Sequence, residues 1–216
     1  MRRLSECRLY GIIDLAYVTA PDVVRVAGEM MEGGVDLIQL RGKQQSIDEL
    51  CEIATLLHKI TSQSSTPLVA NDHIEIGQRV PVEGIHVGQD DEAIDMVRRK
   101  IGRDIMVGKS THSPAQAVAA QREGADYIGF GPLFGTPTKP EYQPIGLQDI
   151  EQLHHNVALP IFCIGGVKLE NLPQVIAAGA RRVVIVSGLL QAPDIPGSAR
   201  AAKELLSNIE LQSSKI

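Results

Sequence analysis

Short apolar runs alternate along the chain with longer stretches of helical period. The strand-like runs are Leu9–Asp14, Val35–Arg41, Pro67–Asn71, Gly84–Val87, Ile105–Lys109, Ala125–Gly129, Ile161–Ile164 and Arg182–Val186. Between them lie amphipathic segments such as Ile47–Ile60, Pro114–Glu123 and Leu169–Ala178, where apolar residues recur every three or four positions. Repeated strand–helix units predict a parallel sheet with right-handed crossovers. A weak internal repeat supports this. Gly34-Val35-Asp36, Gly124-Ala125-Asp126 and Gly179-Ala180-Arg181 each put glycine between a helix and a strand, with Glu83-Gly84-Ile85 as a looser copy. Glycine there suits a left-handed helix cap. The copies precede strands two, four, six and eight, so four strand pairs are counted. Eight strands close a ring, whereas open doubly wound sheets have fewer. The expectation is an α/β protein folded as one compact (β/α)8 (TIM) barrel over residues 1–216, with 207–216 as a frayed tail.

Composition narrows the function. Hydrophobic residues make up 44% of the 216 and charged residues 22%, enough apolar content for one sizeable core. Aromatics are only 3%, with no Trp, and the net charge is −5. Stacking platforms for nucleic acid need rings and a basic groove, so nucleic-acid binding is excluded. Glu6, Arg8 and Asp14 interrupt any signal-peptide core, and no uncharged apolar run is long enough to span a bilayer. Cys7, Cys51 and Cys163 are odd in number and lack metal-like spacing, which reads as buried or partly exposed thiols. A reduced, cytoplasmic protein with no membrane partner is expected. A homo-oligomer is compatible with the sequence, but no apolar stripe names its interface.

In such a barrel the chemistry sits at the carboxyl ends of the strands. Strand two ends Gln39-Leu40-Arg41-Gly42-Lys43, and alternation puts Gln39, Arg41 and Lys43 on one face. Two cations there read as anion ligands, with solvated loop charges as the alternative. Asp72 and Asp91 follow strands three and four. Two carboxylates near those cations suit Mg²⁺, which takes its remaining ligands from water and substrate phosphate. The alternative is that each caps the helix behind it. Ser110 and His112 follow strand five. After strand six, Gly129 to Pro140 is pinned by Gly and Pro and carries Thr136, Thr138 and Lys139. Gly165-Gly166 and Val186-Ser187-Gly188 follow strands seven and eight, where such barrels bind phosphate on backbone N–H groups. Two anion sites result, one cationic with metal and one neutral and glycine-rich. His86 reads as a satisfied barrel histidine, His112 as a candidate for substrate contact, and His58, His73, His154 and His155 as solvated.

The motifs Gln39-Leu40-Arg41-Gly42-Lys43, Asn71-Asp72, Gly84-Ile85-His86-Val87-Gly88-Gln89-Asp90-Asp91, Ser110 with His112, Thr136-Pro137-Thr138-Lys139 and Gly165-Gly166 carry a resemblance. In this order and spacing, from about Arg8 to Leu206, the chain resembles the thiamine-phosphate synthase family. The resemblance implies a transferase of thiamine biosynthesis that condenses hydroxymethylpyrimidine diphosphate with a thiazole phosphate, releasing diphosphate. It implies that Gln39 and Asn71 meet the pyrimidine, that Arg41, Lys43, Ser110 and Lys139 hold the diphosphate, and that Asp72 and Asp91 hold Mg²⁺. Thr136, Thr138, Gly166, Val186 and Ser187 would take the thiazole phosphate. Two departures stand out: Gly42 where the family often has an acid, which leaves the aim of Lys43 open, and Asp90 for the more usual Glu. The rivals are the thiazole tautomerase branch of the same superfamily, which typically lacks the two metal-binding Asp residues, and a non-catalytic phosphate-binding barrel.

Overall fold

Eight parallel strands pair in chain order and the last returns to pair with the first, so the sheet closes as a barrel. The computed structural model describes residues 3–136 and 143–213. The strands are β1 Leu9–Asp14, β2 Leu37–Arg41, β3 Leu68–Asn71, β4 Gly84–Val87, β5 Met106–Thr111, β6 Tyr127–Phe130, β7 Ile161–Cys163 and β8 Val183–Ile185. Around them lie α1 Val23–Glu32, α2 Ile47–Thr61, α3 Ile74–Arg79, α4 Ile94–Ile101, α5 Pro114–Arg122, α6 Ile150–Asn156, α7 Leu172–Ala177, α8 Ser187–Leu190 and α9 Ile195–Ser213. No helix among the described residues is long and apolar enough to cross a membrane.

Local signals account for the helix ends. A capping box opens α2: Ser46 Oγ accepts the Glu49 N–H, and Glu49 Oε2 accepts the Ser46 N–H at 2.8 Å. Pro114 stands at the first position of α5 behind Ser113, whose Oγ accepts the Gln116 N–H. Helix α9 continues to Ser213, well into the segment expected to fray.

The glycine repeat holds at three of its four copies. Gly34, Gly124 and Gly179 have φ of 87°, 88° and 99°. Each closes the same cap: the glycine N–H bonds the carbonyl three residues back, and the next N–H bonds the one five back, as in Val35 to Met30. Gly84 departs from the pattern. It lies inside β4, and α3 instead ends at an extended Val80 before Pro81. What recurs there is a carboxylate. Asp36 Oδ2 accepts the N–H groups of Arg8 (2.8 Å) and Leu9 (3.0 Å), Glu83 Oε2 that of Leu68 (2.8 Å), and Asp126 Oδ2 that of Val107 (2.7 Å). The bottom of the barrel is thus tied by an acid preceding each of strands two, four and six, which bonds the start of the strand before it. Before β8 the position is Arg182, whose Nη2 donates to the Ser5 carbonyl.

Alternation divides the core in two. Outward-facing residues such as Ile38, Leu40, Ile85 and Val87 pack under the helices, while Tyr10, Leu37, Val69, Tyr127, Phe162 and Val184 fill the barrel itself. Tyr10, Tyr127 and Phe162 meet edge to face with ring centroids 5.5 to 6.0 Å apart. Few as they are, the aromatics plug the barrel axis. All three cysteines are buried thiols outside any disulfide, and burial pushes the Cys163 thiol up to about 12.

Of the four histidines expected to be solvated, His58, His73 and His154 are half-buried and only His155 is exposed. His58 Nδ1 lies 3.6 Å from Glu83. His154, on α6, has an Nε2 with no hydrogen-bond partner among the described residues. Burial, then Arg181 and Arg182, push its pKa down to about 4. The unfolded chain takes up this proton near the ordinary value of about 6.5, the folded one only near 4, so acidification through that window favours unfolding. His154→Gln should therefore flatten the fall of stability between those pH values, read by urea unfolding across the range. At the barrel bottom, Asp36→Ala orphans two backbone N–H groups and should cost about 2–4 kcal/mol. Unchanged urea midpoints would contradict that role.

Candidate active site

The carboxyl ends of the strands open into a pocket lined by eight of the residues singled out from the sequence: Gln39, Arg41, Asn71, Ser110, Thr136, Gly166, Val186 and Ser187. Sequence position scatters them over more than a hundred residues. Parallel register gathers them, because every strand ends at the same rim. Thr138 and Lys139 lie outside the described residues.

Strand β2 delivers its polar residues as alternation requires. Gln39 is 2% exposed and donates from Nε2 to Tyr10 OH at 2.6 Å. Arg41 pairs with Asp14, its register neighbour at the end of β1, at 2.5 Å. Asp14 is 1% exposed and also accepts the Ala16 N–H, so it is a fixed, buried counter-charge that aims the guanidinium. No sequence motif marks Asp14 as a site residue, although its place as the polar end of an apolar strand is a usable signal. Lys43 is exposed at the rim and ion-pairs with Asp72. Its aim is therefore set, with Gly42 buried: a side chain at 42 would meet Leu15, Leu50 and Gln45 within 3 Å.

Neither acid caps a helix. The N-cap of α3 is His73 and that of α4 is Ala93. Asp72 sits in the left-handed region at φ 61°, uncommon outside glycine but best tolerated by Asp and Asn. Asp91 Oδ2 accepts the Gly88 N–H at 2.6 Å, closing the turn after β4. No cluster of three or more His, Cys, Asp or Glu suited to a metal occurs among the described residues. Two carboxylates on adjacent strand ends fit a hard cation that keeps its waters and shares substrate phosphate, rather than an all-protein cage.

Strand β5 runs to Thr111, past the end expected at Lys109, because pairing with β6 continues to Phe130. Ser110 is therefore a strand residue facing inward, with its Oγ 3.0 Å from His86 Nε2. His86 is a satisfied barrel histidine, as expected, since its Nδ1 meets Tyr127 OH at 3.2 Å. His112 lines the pocket and donates from Nδ1 to the Gly131 carbonyl at 2.5 Å.

The glycine-rich side is built by two loops docked backbone to backbone. Leu133 and Phe134 donate to the carbonyls of Ile164 and Gly165 at 2.8 and 3.0 Å. A Cβ at Gly131 would fall 2.1 Å from the Ile164 carbonyl oxygen, so only glycine permits this approach. Val186 is the N-cap of α8 and Ser187 its first residue; Leu189 and Leu190 donate to the Val186 carbonyl, and the N–H groups of Ser187 and Gly188 precede any acceptor within the helix. This wall is neutral and rich in backbone donors, while the β2 wall carries cations.

The pocket lies at the carboxyl-end rim of a closed (β/α)8 barrel, the place where enzymes of this fold carry their active sites. Residues 9–189 match the family model described as thiamine monophosphate synthase. The chain is 36% identical over 208 residues to the thiamine-phosphate synthase of Pelotomaculum thermopropionicum, covering 96% of this chain and 95% of that one. It is 38% identical over 199 residues to that of Shouchella clausii, covering 92% and 95%. Among solved structures it superposes on thiamine phosphate pyrophosphorylase from Pyrococcus furiosus with a TM-score of 0.87 and 25% identity, covering 95% of this chain and 98% of that one. The chain belongs to the thiamine monophosphate synthase family.

If Asp14 aims Arg41, removing it strands a largely buried cation. Asp14→Ala should cost about 3 kcal/mol, and distinctly less in an Arg41→Leu background, both read by urea unfolding. Equal costs in the two backgrounds would refute the coupling.

Proposed function

We propose that this chain joins 4-amino-2-methyl-5-hydroxymethylpyrimidine diphosphate to a 4-methyl-5-(2-phosphoethyl)thiazole, giving thiamine phosphate and diphosphate. The observation that carries the reading is one pocket with two unlike walls, cationic at β2 and neutral at β7 and β8, in a chain of this family. Gln39 and Asn71 would hold the pyrimidine. Arg41, Lys43, Ser110 and Lys139 would hold the diphosphate. Thr136, Thr138, Gly166, Val186 and Ser187 would hold the thiazole phosphate.

The bond that breaks joins the exocyclic carbon to the diphosphate oxygen, and its electron pair leaves with the diphosphate. Negative charge grows on that oxygen, so donors and cations already aimed there lower the barrier. Arg41 meets this need because Asp14 has fixed it in advance, and Lys43 stands at the same rim. Asp72 and Asp91 would hold Mg²⁺, which when bound neutralises diphosphate charge. The electron-rich aminopyrimidine tolerates the cation left behind. The thiazole nitrogen then donates its lone pair to that carbon and becomes quaternary. No protein nucleophile is required, in keeping with Cys163 held as a buried thiol.

The test incubates the protein with both phosphates and Mg²⁺ and follows thiamine phosphate and diphosphate together. Asp72→Ala with Asp91→Ala should lower turnover by about a hundredfold or more. Full activity in that double variant, or no product from the unaltered chain, sinks the reading; isomerisation of a thiazole carboxylate without metal would favour the tautomerase branch. Lys139→Ala should weaken diphosphate binding by about tenfold or more and thiazole phosphate binding far less. Calorimetric titration of each ligand separates the two, and equal losses would overturn the division of the walls.

A further inference from the structure

A single file of hydrogen bonds crosses the barrel along the inner end of the pocket, and all five of its members line that pocket. Gln39 Nε2 lies 2.6 Å from Tyr10 OH, which lies 3.1 Å from Tyr127 OH. Tyr127 OH lies 3.2 Å from His86 Nδ1, and His86 Nε2 lies 3.0 Å from Ser110 Oγ. Gln39, Tyr10, Tyr127 and His86 are all buried, so these bonds are sheltered from water.

The file has a direction, because its first member can only give. An amide nitrogen donates and cannot accept. Tyr10 accepts that hydrogen, and its own single hydrogen goes to Tyr127. Tyr127 in turn passes its hydrogen to His86 Nδ1, which must carry none. The neutral ring then holds its hydrogen on Nε2 and gives it to Ser110 Oγ. Ser110's own hydrogen is the one left over for an acceptor outside the file. Both phenols keep their hydrogens firmly, since burial raises each above its ordinary titration range.

We propose that this order makes Ser110 an obligate donor toward the pocket, with Tyr10, Tyr127 and His86 as positioning residues that act through it. The idea rests on the synthase reading for its ligand: the acceptor is the oxygen of the departing diphosphate, where a fixed O–H donor counts most as charge develops. The two ends of one substrate would then be linked. An aminopyrimidine amine donating to the Gln39 carbonyl turns the Gln39 nitrogen toward Tyr10, and that orientation sends the Ser110 hydrogen to the diphosphate.

Two measurements on the full chain test this. In protein labelled with ¹⁵N-histidine, with the His86 signals assigned by their loss in His86→Gln, His86 should be neutral with its hydrogen on Nε2. A hydrogen on Nδ1 means the file runs the other way and overturns the proposal. In the synthase assay, Tyr127→Phe should lower kcat about fivefold, the worth of one hydrogen bond, with the KM for the thiazole phosphate unchanged. In a Ser110→Ala background the same change should cost less than about twofold, because the end of the file has gone. An equal cost in both backgrounds makes Tyr127 a packing residue and overturns the proposal. Tyr10→Phe breaks the file one link earlier and serves the same cycle if Tyr127→Phe does not fold. Lack of turnover by the unaltered chain would defeat the synthase reading and the role given to Ser110, while the His86 spectrum still decides the proton order.

Discussion

Closing eight short parallel strands into a ring sends every second side chain into a space that water cannot fill. The rest of the molecule depends on how that space is occupied. At its lower level, Leu37, Val69, Val184 and the edge-to-face rings of Tyr10, Tyr127 and Phe162 fill it with apolar volume. One step up the same strands, the inward residues become Gln39, Asn71, His86 and Ser110, each facing the pocket. The site is thus the place where an apolar plug ends and polar groups must either pair with each other or wait for a ligand.

The polar groups in the plug show how that demand is met. A phenol hydroxyl in a closed barrel needs a partner, and each tyrosine supplies one to the other at 3.1 Å. Gln39 and His86 continue the pairing outward on both sides, so the plug is bound to the pocket by bonds as well as by packing. Asp14 and Arg41 follow the same logic at the rim, a buried acid being stable there because its neighbour in register is a cation. The walls differ in charge for a related reason. The β2 wall offers the charged side chain of Arg41, while the β6 and β7 loops lie too close for any side chain at Gly131 and meet there backbone to backbone.

Much of this was legible along the chain. Apolar runs separated by helical periods place all eight strands, and Gly34, Gly124 and Gly179 mark the turns into three of them. Gly84 misled, because glycine also serves where a strand is crowded: a Cβ there would lie 3.1 Å from Val69 and 3.2 Å from the Met106 carbonyl. The true repeat partner was Glu83, whose bond to Leu68 is a contact between strands that no local pattern marks. Asp72 and Asp91, each taken alone, read more readily as caps than as ligands, since both stand before helices. The backbone decided against caps by starting those helices at Ile74 and Ile94.

What the sequence by itself determined is the number and order of the elements, the inward alternation on β2, and the supply of hydroxyls, cations and glycines at the strand ends. These are set by period and residue type, which act over a few positions. Only the tertiary structure decided the pairings: Asp14 with Arg41, Lys43 with Asp72, and the file from Gln39 to Ser110. Each joins residues on different strands or strand-end loops, brought within reach by the pairing of neighbouring strands and, for Tyr10 with Tyr127, by closure of the ring. The same closure brings the glycine-rich loops after β6 and β7 and the Arg41 end of β2 to the rim of one pocket.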